Sequence, residues 1–212
     1  MFNDIKTVLA ISPHTDDFEL GAGGLVAKLC QTNIRVIAVA FSACEESVRD
    51  GFPKDVLRSE MREAGKVLGL NERDIITLSY PVRMFFRHRQ SILDELLRLR
   101  EYYNPDLILS PSLHDIHQDH KVVAEEVLRA FKNRRVLCYE LPWNNLGFAP
   151  NLFCTLTEKY VLDKCEALCK YESQRHRQYF DPDVVRSRLI GNGLECGTRF
   201  VERFEVLRWV LS

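Results

Sequence analysis

Short apolar runs and amphipathic stretches alternate along the first two-thirds of the chain. The runs at 7–12, 35–42, 75–79, 107–111 and 136–141 are rich in Val, Ile and Leu and show little polar alternation. Such runs predict strands buried on both faces. Between them, apolar residues recur at spacings of three and four. Met61, Ala64, Val67 and Leu68 form one stripe, and Ile92, Leu93, Leu96, Leu97 and Leu99 another. This spacing predicts helices over 20–31, 56–68, 90–102 and 121–131. Strands separated by helices predict an α/β fold, a Rossmann-like three-layer sandwich with a mostly parallel sheet. The last third is less regular. It predicts strands at 152–156 and 205–210 and helices at 159–171 and 182–189. No repeat, low-complexity tract or Gly/Ser linker interrupts the chain, so residues 1–212 read as a single domain.

Two of the strand-like runs end in clusters of reactive side chains. The first leads into Pro13-His14-Thr15-Asp16-Asp17. The fourth leads towards His114-Asp115-Ile116-His117-Gln118-Asp119-His120. Open α/β sheets place their chemistry at the carboxyl ends of strands. Imidazoles and carboxylates in this number suit one divalent metal and one general base, the equipment of metal-assisted hydrolysis. His14 and Asp17, three apart just past a strand, can converge on one ion. A helix starting near Leu20 needs one Asp as its cap, so two acids beside a histidine exceed that need. His114, His117 and His120 recur every third residue. One of them would complete an open three-ligand site, and another would remain free for acid chemistry. Gly21, Gly23 and Gly24 lack the third glycine of a dinucleotide fingerprint, and read instead as close helix–sheet packing.

Composition narrows the function. With 212 residues, 46% of them hydrophobic, the chain is long enough for one α/β domain with a buried core. A formal net charge of −1 and the absence of a long Lys/Arg run exclude a strong nucleic-acid footprint. The one local exception is the basic patch at 83–89. No apolar stretch reaches the ~18–20 residues of a membrane span, which argues against integral membrane association. The N-terminus carries no basic segment followed by an apolar one, and the seven cysteines are scattered without a CxxC pair. Reduced thiols in a cytoplasmic protein are the expectation.

The segments PHTDDFELGAGG (13–24) and HDIHQDH (114–120) resemble the LmbE-like, or PIG-L-like, N-acetylglucosaminyl de-N-acetylases. That family carries a His-Pro-Asp-Asp segment near its N-terminus and a later His-Pro-Asp-His segment. Arg58-Ser59-Glu60 with Ala64 and Leu68-Gly69, Tyr171-Glu172-Ser173-Gln174, and residues 200–205 extend the likeness over nearly the whole chain. The resemblance implies a zinc-dependent hydrolase that removes the N-acetyl group from an N-acetylglucosamine-type sugar or conjugate and releases acetate. It implies His14, Asp17 and His120 as zinc ligands and Asp16 as the general base. His117 would stabilise the oxyanion or protonate the leaving amine, and Asp119 would orient a histidine. Thr15 and Gln118 stand where the family usually or often has proline. Neither position supplies a ligand, but the loop loses the restriction that proline imposes.

A small-molecule sugar conjugate is the expected partner, with homo-oligomerisation left open. Arg58, Arg83, Arg87 and Arg89 are candidates for reading an anionic or hydroxyl-rich group on that conjugate, because arginine presents a rigid fork of donors. For Arg58 the competing role is a surface ion pair with Glu60. Two other functions fit the residues: a hydrolase of another acylamide, and a non-catalytic sugar- or nucleotide-binding module built on the glycine-rich turn. Asp16 favours an enzyme, since binding alone needs no spare carboxylate.

Overall fold

A computed structural model describes residues 4–210 and places seven strands among them in one sheet. Met1, Phe2 and Asn3, read above for a leader, lie outside the described residues. The strands are β1 (Thr7–His14), β2 (Arg35–Ser42), β3 (Ile75–Thr77), β4 (Leu107–Pro111), β5 (Arg135–Tyr139), β6 (Leu152–Thr155) and β7 (Val201–Arg208). Their order is β3-β2-β1-β4-β5-β7-β6. The first five pair in parallel; β7 runs antiparallel to β5, and β6 antiparallel to β7. The sheet is therefore mostly parallel, as the unbroken apolar runs predict.

Helices cover both faces. On one lie α1 (Asp17–Gln31), α2 (Val56–Val67) and α5 (Glu158–Cys169), with α6 (Pro182–Gly193) against α5 and β7. On the other lie α3 (Arg89–Tyr103) and α4 (Gln118–Ala130). Alternate residues of β1 feed the two cores: Val8 and Ala10 pack under α1, Leu9 and Ile11 under α4. No helix among the described residues is long and apolar enough to cross a membrane.

The topology decides where chemistry can collect. The chain steps outward from β1 through β2 to β3, then returns to the other side of β1 at β4. The crevice beyond β1 and β4 is the point where strand order reverses, and the carboxyl ends of both strands face it. His14 closes β1, and the 114–120 cluster follows β4.

Expected boundaries shift where polar residues are buried. Helix α1 starts at Asp17 and α4 at Gln118, each three residues before the apolar stripe predicts, because their first turns face the crevice with acids and imidazoles. The last strand starts at Val201, four residues early. Glu202, which breaks the apolar pattern, is buried against Lys164 Nζ at 2.6 Å.

Gly21 confirms the packing role expected of the glycine run. A Cβ there would stand 2.3 Å from Tyr139 Cδ2, and one on Gly24 would stand 2.4 Å from Leu156 Cδ1. Tyr139 is fully buried and its hydroxyl donates to the Ile11 carbonyl at 2.9 Å, so the ring has no room to retreat. Gly21→Ala is expected to lower the melting temperature. Overpacking costs about 1–3 kcal/mol, which outweighs the gain of about 1 kcal/mol from alanine over glycine in a helix. A higher melting temperature in the variant would contradict this packing.

Candidate metal centre and catalytic pocket

Three donor atoms converge beyond β1 and β4. His14 Nδ1 lies 3.0 Å from His120 Nε2. Asp17 Oδ2 lies 3.4 Å from His120 Nε2 and 3.5 Å from His14 Nδ1. Ligands held 2.0–2.2 Å from one ion at tetrahedral angles stand about 3.3–3.6 Å apart. The two edges to Asp17 have that length, and the 3.0 Å edge between the imidazoles is shorter, so the two rings must part by a few tenths of an ångström to share a divalent metal such as zinc. Local structure sets it. The His14 backbone N–H donates to Asp17 Oδ2 at 2.7 Å, which folds the start of α1 back onto the end of β1.

The far side of each imidazole meets a buried carboxylate. His14 Nε2 is 3.1 Å from Asp119 Oδ2, and His120 Nδ1 is 2.8 Å from Asp115 Oδ2. Those nitrogens donate, which leaves the lone pairs of His14 Nδ1 and His120 Nε2 directed into the triangle. The carboxylates are themselves held. Asp119 accepts the backbone N–H groups of Arg83 at 2.6 Å and Phe85 at 3.3 Å, and Asp115 accepts that of His117 at 2.8 Å. Burial opposes ionisation of Asp119, but His14 and these N–H groups hold its pKa below the usual carboxylate range. Burial also opposes charge on Asp17, which His120 and His14 likewise keep low. Burial disfavours charge on His14 too, yet Cys44, Asp119 and Asp17 raise its pKa well above the ordinary imidazole value. The centre thus draws positive charge.

His14, His117 and His120 also bring one nitrogen each within 4.8 Å of one another, which offers an all-histidine alternative. His117 is ill suited to it. As the N-cap of α4, its Nδ1 accepts the Asp119 N–H at 3.2 Å. The neutral ring then carries its proton on Nε2, a donor rather than a ligand. Burial, and then His120 and His14, push its pKa down to about 4, so the ring is neutral near pH 7. Asp16 occupies the N-cap of α1 without bonding any helix N–H through its side chain. It lines the pocket instead, and burial with the adjacent Asp17 carboxylate raises its pKa to about 6.

The pocket over the triangle encloses about 220 Å³. Arg83, Gln174 and Arg177 give it polar walls, and Trp143 and Tyr179 an aromatic one. Arg83 reaches it from a left-handed backbone (φ 65°) that also aims its N–H at Asp119. The other arginines stand elsewhere. Arg58 joins α2 to the end of β3, with bonds to Glu45 (3.0 Å), the Thr77 and Leu78 carbonyls (2.9 and 3.3 Å) and Ser79 Oγ (2.9 Å). Glu60, its expected partner, is taken by Ser173. Arg87 is exposed over the Phe86 ring, and Arg89 pairs with Glu125 and Glu126. His114 is exposed beside Glu205, outside the triangle.

Trp143, Arg177 and Tyr179 escaped the sequence reading, because they sit in connections without periodicity. The Tyr171–Gln174 motif was the available signal. Its Gln174 lines the pocket, and the Tyr171 hydroxyl donates to the Thr15 carbonyl. Glu19, whose pKa burial raises well above the usual range, meets the same hydroxyl at 2.7 Å. The hydroxyl is thus shared between the Thr15 carbonyl and the Glu19 carboxyl, both acceptors. This ties the loop carrying Asp16 to the segment that follows α5.

Residues 9–131 match the family described as GlcNAc-PI de-N-acetylase, PIG-L. The chain belongs to this family. It is 30% identical over 177 residues to YaiS of Escherichia coli strain K12, described as an uncharacterized deacetylase, covering 81% of this chain and 93% of that protein. It is 26% identical to the diacetylchitobiose deacetylase of Thermococcus kodakarensis, over 57% of this chain and 47% of that one. Among solved structures, the N,N'-diacetylchitobiose deacetylase of Pyrococcus horikoshii has a TM-score of 0.76 at 22% identity, covering 97% of this chain and 85% of that one. GalB, a 4-carboxy-2-hydroxymuconate hydratase of Pseudomonas putida KT2440, has a TM-score of 0.77 at 19% identity, covering 98% of each chain. Both sequence relatives are described as deacetylases, while the shared fold also carries a hydratase; the reaction must be argued from the site.

Proposed function

We propose that this PIG-L family member is a zinc-dependent hydrolase that removes the N-acetyl group from an N-acetylglucosamine-type sugar or conjugate. The observation that carries this reading is the donor triangle of His14, Asp17 and His120 beside an uncommitted carboxylate, Asp16, and an N–H donor, His117. His14, Asp17 and His120 would hold a divalent ion there, and its chemistry would be to polarise the amide carbonyl and to bring the pKa of water down to about 7.

The chain's own residues divide the remaining work. Asp16 accepts the proton of the attacking water as the C–O bond forms. His117 Nε2–H donates to the carbonyl oxygen as it gains negative charge. The amine departs only once its nitrogen is protonated, or the addition reverses. His117 has its Nδ1 engaged with the Asp119 N–H and passes no proton between its two nitrogens. Asp16 can take a proton on one side of the reaction and return it on the other. Arg83, Gln174 and Arg177 supply donors for sugar hydroxyls, and Trp143 supplies an apolar surface for a sugar face.

The test is release of acetate, with loss of one acetyl group by mass, from a panel of N-acetylglucosamine conjugates. Zinc-loaded protein should turn over at least one member. Complete chelation should stop the reaction, and added zinc should restore it. No acetate from any member would overturn the reading, and turnover that survives complete metal removal would overturn the metal's part in it.

A further inference from the structure

A second cavity adjoins the catalytic pocket. It encloses about 390 Å³, against about 220 Å³ for the first. The two spaces share Leu20, Trp143 and Tyr179, and the Trp143 and Tyr179 rings stack at 3.8 Å with planes 10° apart. Beyond that shared wall the linings diverge. The first is polar. The second is walled by Pro142 and by Val184, Val185 and Leu189 of α6.

Charged side chains reach the second cavity, but they are matched within the fold. Lys164 Nζ donates to Glu202 at 2.6 Å and to the Leu20 carbonyl at 2.8 Å. Glu202 also accepts the Gly24 and Leu25 N–H groups at 2.8 and 2.6 Å. Arg188 and Arg203 both bond Glu140, at 3.0 and 3.1 Å, and Arg203 also bonds Glu195 at 2.7 Å, so three cations meet three carboxylates. Charges so paired draw no ion into the space, and burial of apolar surface becomes the main gain open to an occupant.

We propose that this cavity is a subsite for an apolar alkyl or aryl group carried by the amine-bearing part of the substrate, as the aglycone of an N-acetylated sugar. The proposal rests on the deacetylase reading. An acetyl group ends one carbon past its carbonyl, so the acyl side of the bond has nothing to fill a second cavity. The occupant belongs to the other side. The sugar lies against the polar walls, and its aglycone passes Trp143 and Tyr179 towards α6.

The test compares methyl and octyl N-acetyl-β-glucosaminides, with N-octanoylglucosamine as a third substrate, on metal-loaded protein. Calorimetric binding of the two glycosides runs alongside. Each buried methylene favours binding by about fourfold. After the costs of ordering the chain, octyl should exceed methyl in kcat/KM by on the order of 10²-fold. Val184 is 39% exposed at the cavity rim, so its replacement spares the core. Val184→Asp and Val184→Trp should each bring the octyl-to-methyl ratio towards one, with native melting. A wild-type ratio near one, a ratio untouched by both variants, or preference for the N-octanoyl substrate would overturn the subsite. Hydrolysis of both glycosides at one rate would do so while leaving the deacetylase reading intact. Conversely, tighter binding of octyl than methyl, lost in Val184→Asp but without hydrolysis of either, would keep the subsite and discard the reaction. Equal binding without hydrolysis would discard both.

Discussion

Replacing His14 or His120 with alanine is expected to remove most of the bound divalent ion. An open three-ligand site loses a large share of its affinity with any one ligand, because two donors no longer define the coordination. His14→Ala should be the cleaner variant. It leaves Asp119 with the Arg83 and Phe85 N–H groups as partners. His120→Ala strips Asp115 Oδ2 of its 2.8 Å partner inside the protein, so some stability should go with the ion. His117→Ala should keep the ion, since its Nδ1 serves the helix. Asp115→Asn should fall between, with affinity down about 10–100-fold, because Asp115 orients a ligand without being one. Elemental analysis of proteins purified in zinc, with circular dichroism for the fold, reads all four. Stoichiometric metal in both His14→Ala and His120→Ala would sink the triangle. Loss in His117→Ala equal to theirs would move the site to the three histidines.

The parallel half of the fold was legible because its strands are apolar on both faces and its helices carry a clear stripe. The antiparallel edge was less so, for a physical reason. Val201–Arg208 is a strand whose Glu202 points inward, stabilised by Lys164 and by two helix N–H groups from far away in sequence. No local pattern encodes a buried charge whose partner lies on another element. The same holds at the site. The pairing of the 13–17 and 114–120 clusters could be expected, because each follows a strand, and the structure sets β1 beside β4. Which carboxylate serves which imidazole could not. Asp119 reaches across to His14, while Asp115, five residues back over a turn, takes His120. Arg58 has a reactive side chain in a suitable helix, but its donors are spent on carbonyls of the neighbouring strand end. Spacing along a helix does not reveal such an engagement.

Asp16→Asn is expected to lower kcat by about 10²–10⁴-fold, the usual contribution of a positioned general base, with metal content and KM near wild type. Asparagine matches the carboxylate in shape but accepts no proton at neutral pH. The substitution should spare the fold, since the Asp16 side chain caps no helix N–H. A pH series on metal-free protein separates the catalytic role from a structural one. Burial and Asp17 raise the Asp16 pKa from 3.8 to about 6 in the folded chain. Between those values the folded state binds more protons than the unfolded, so Asp16 makes stability fall as pH rises through that window. The asparagine variant lacks that fall. Relative to wild type it should therefore gain stability from about pH 4 to pH 6 and melt no lower at pH 7. Lower turnover with equal or higher stability is the signature of a residue that works on substrate. Near-wild-type turnover at saturating metal would remove Asp16 as the base, and joint loss of zinc and turnover would make it a ligand instead.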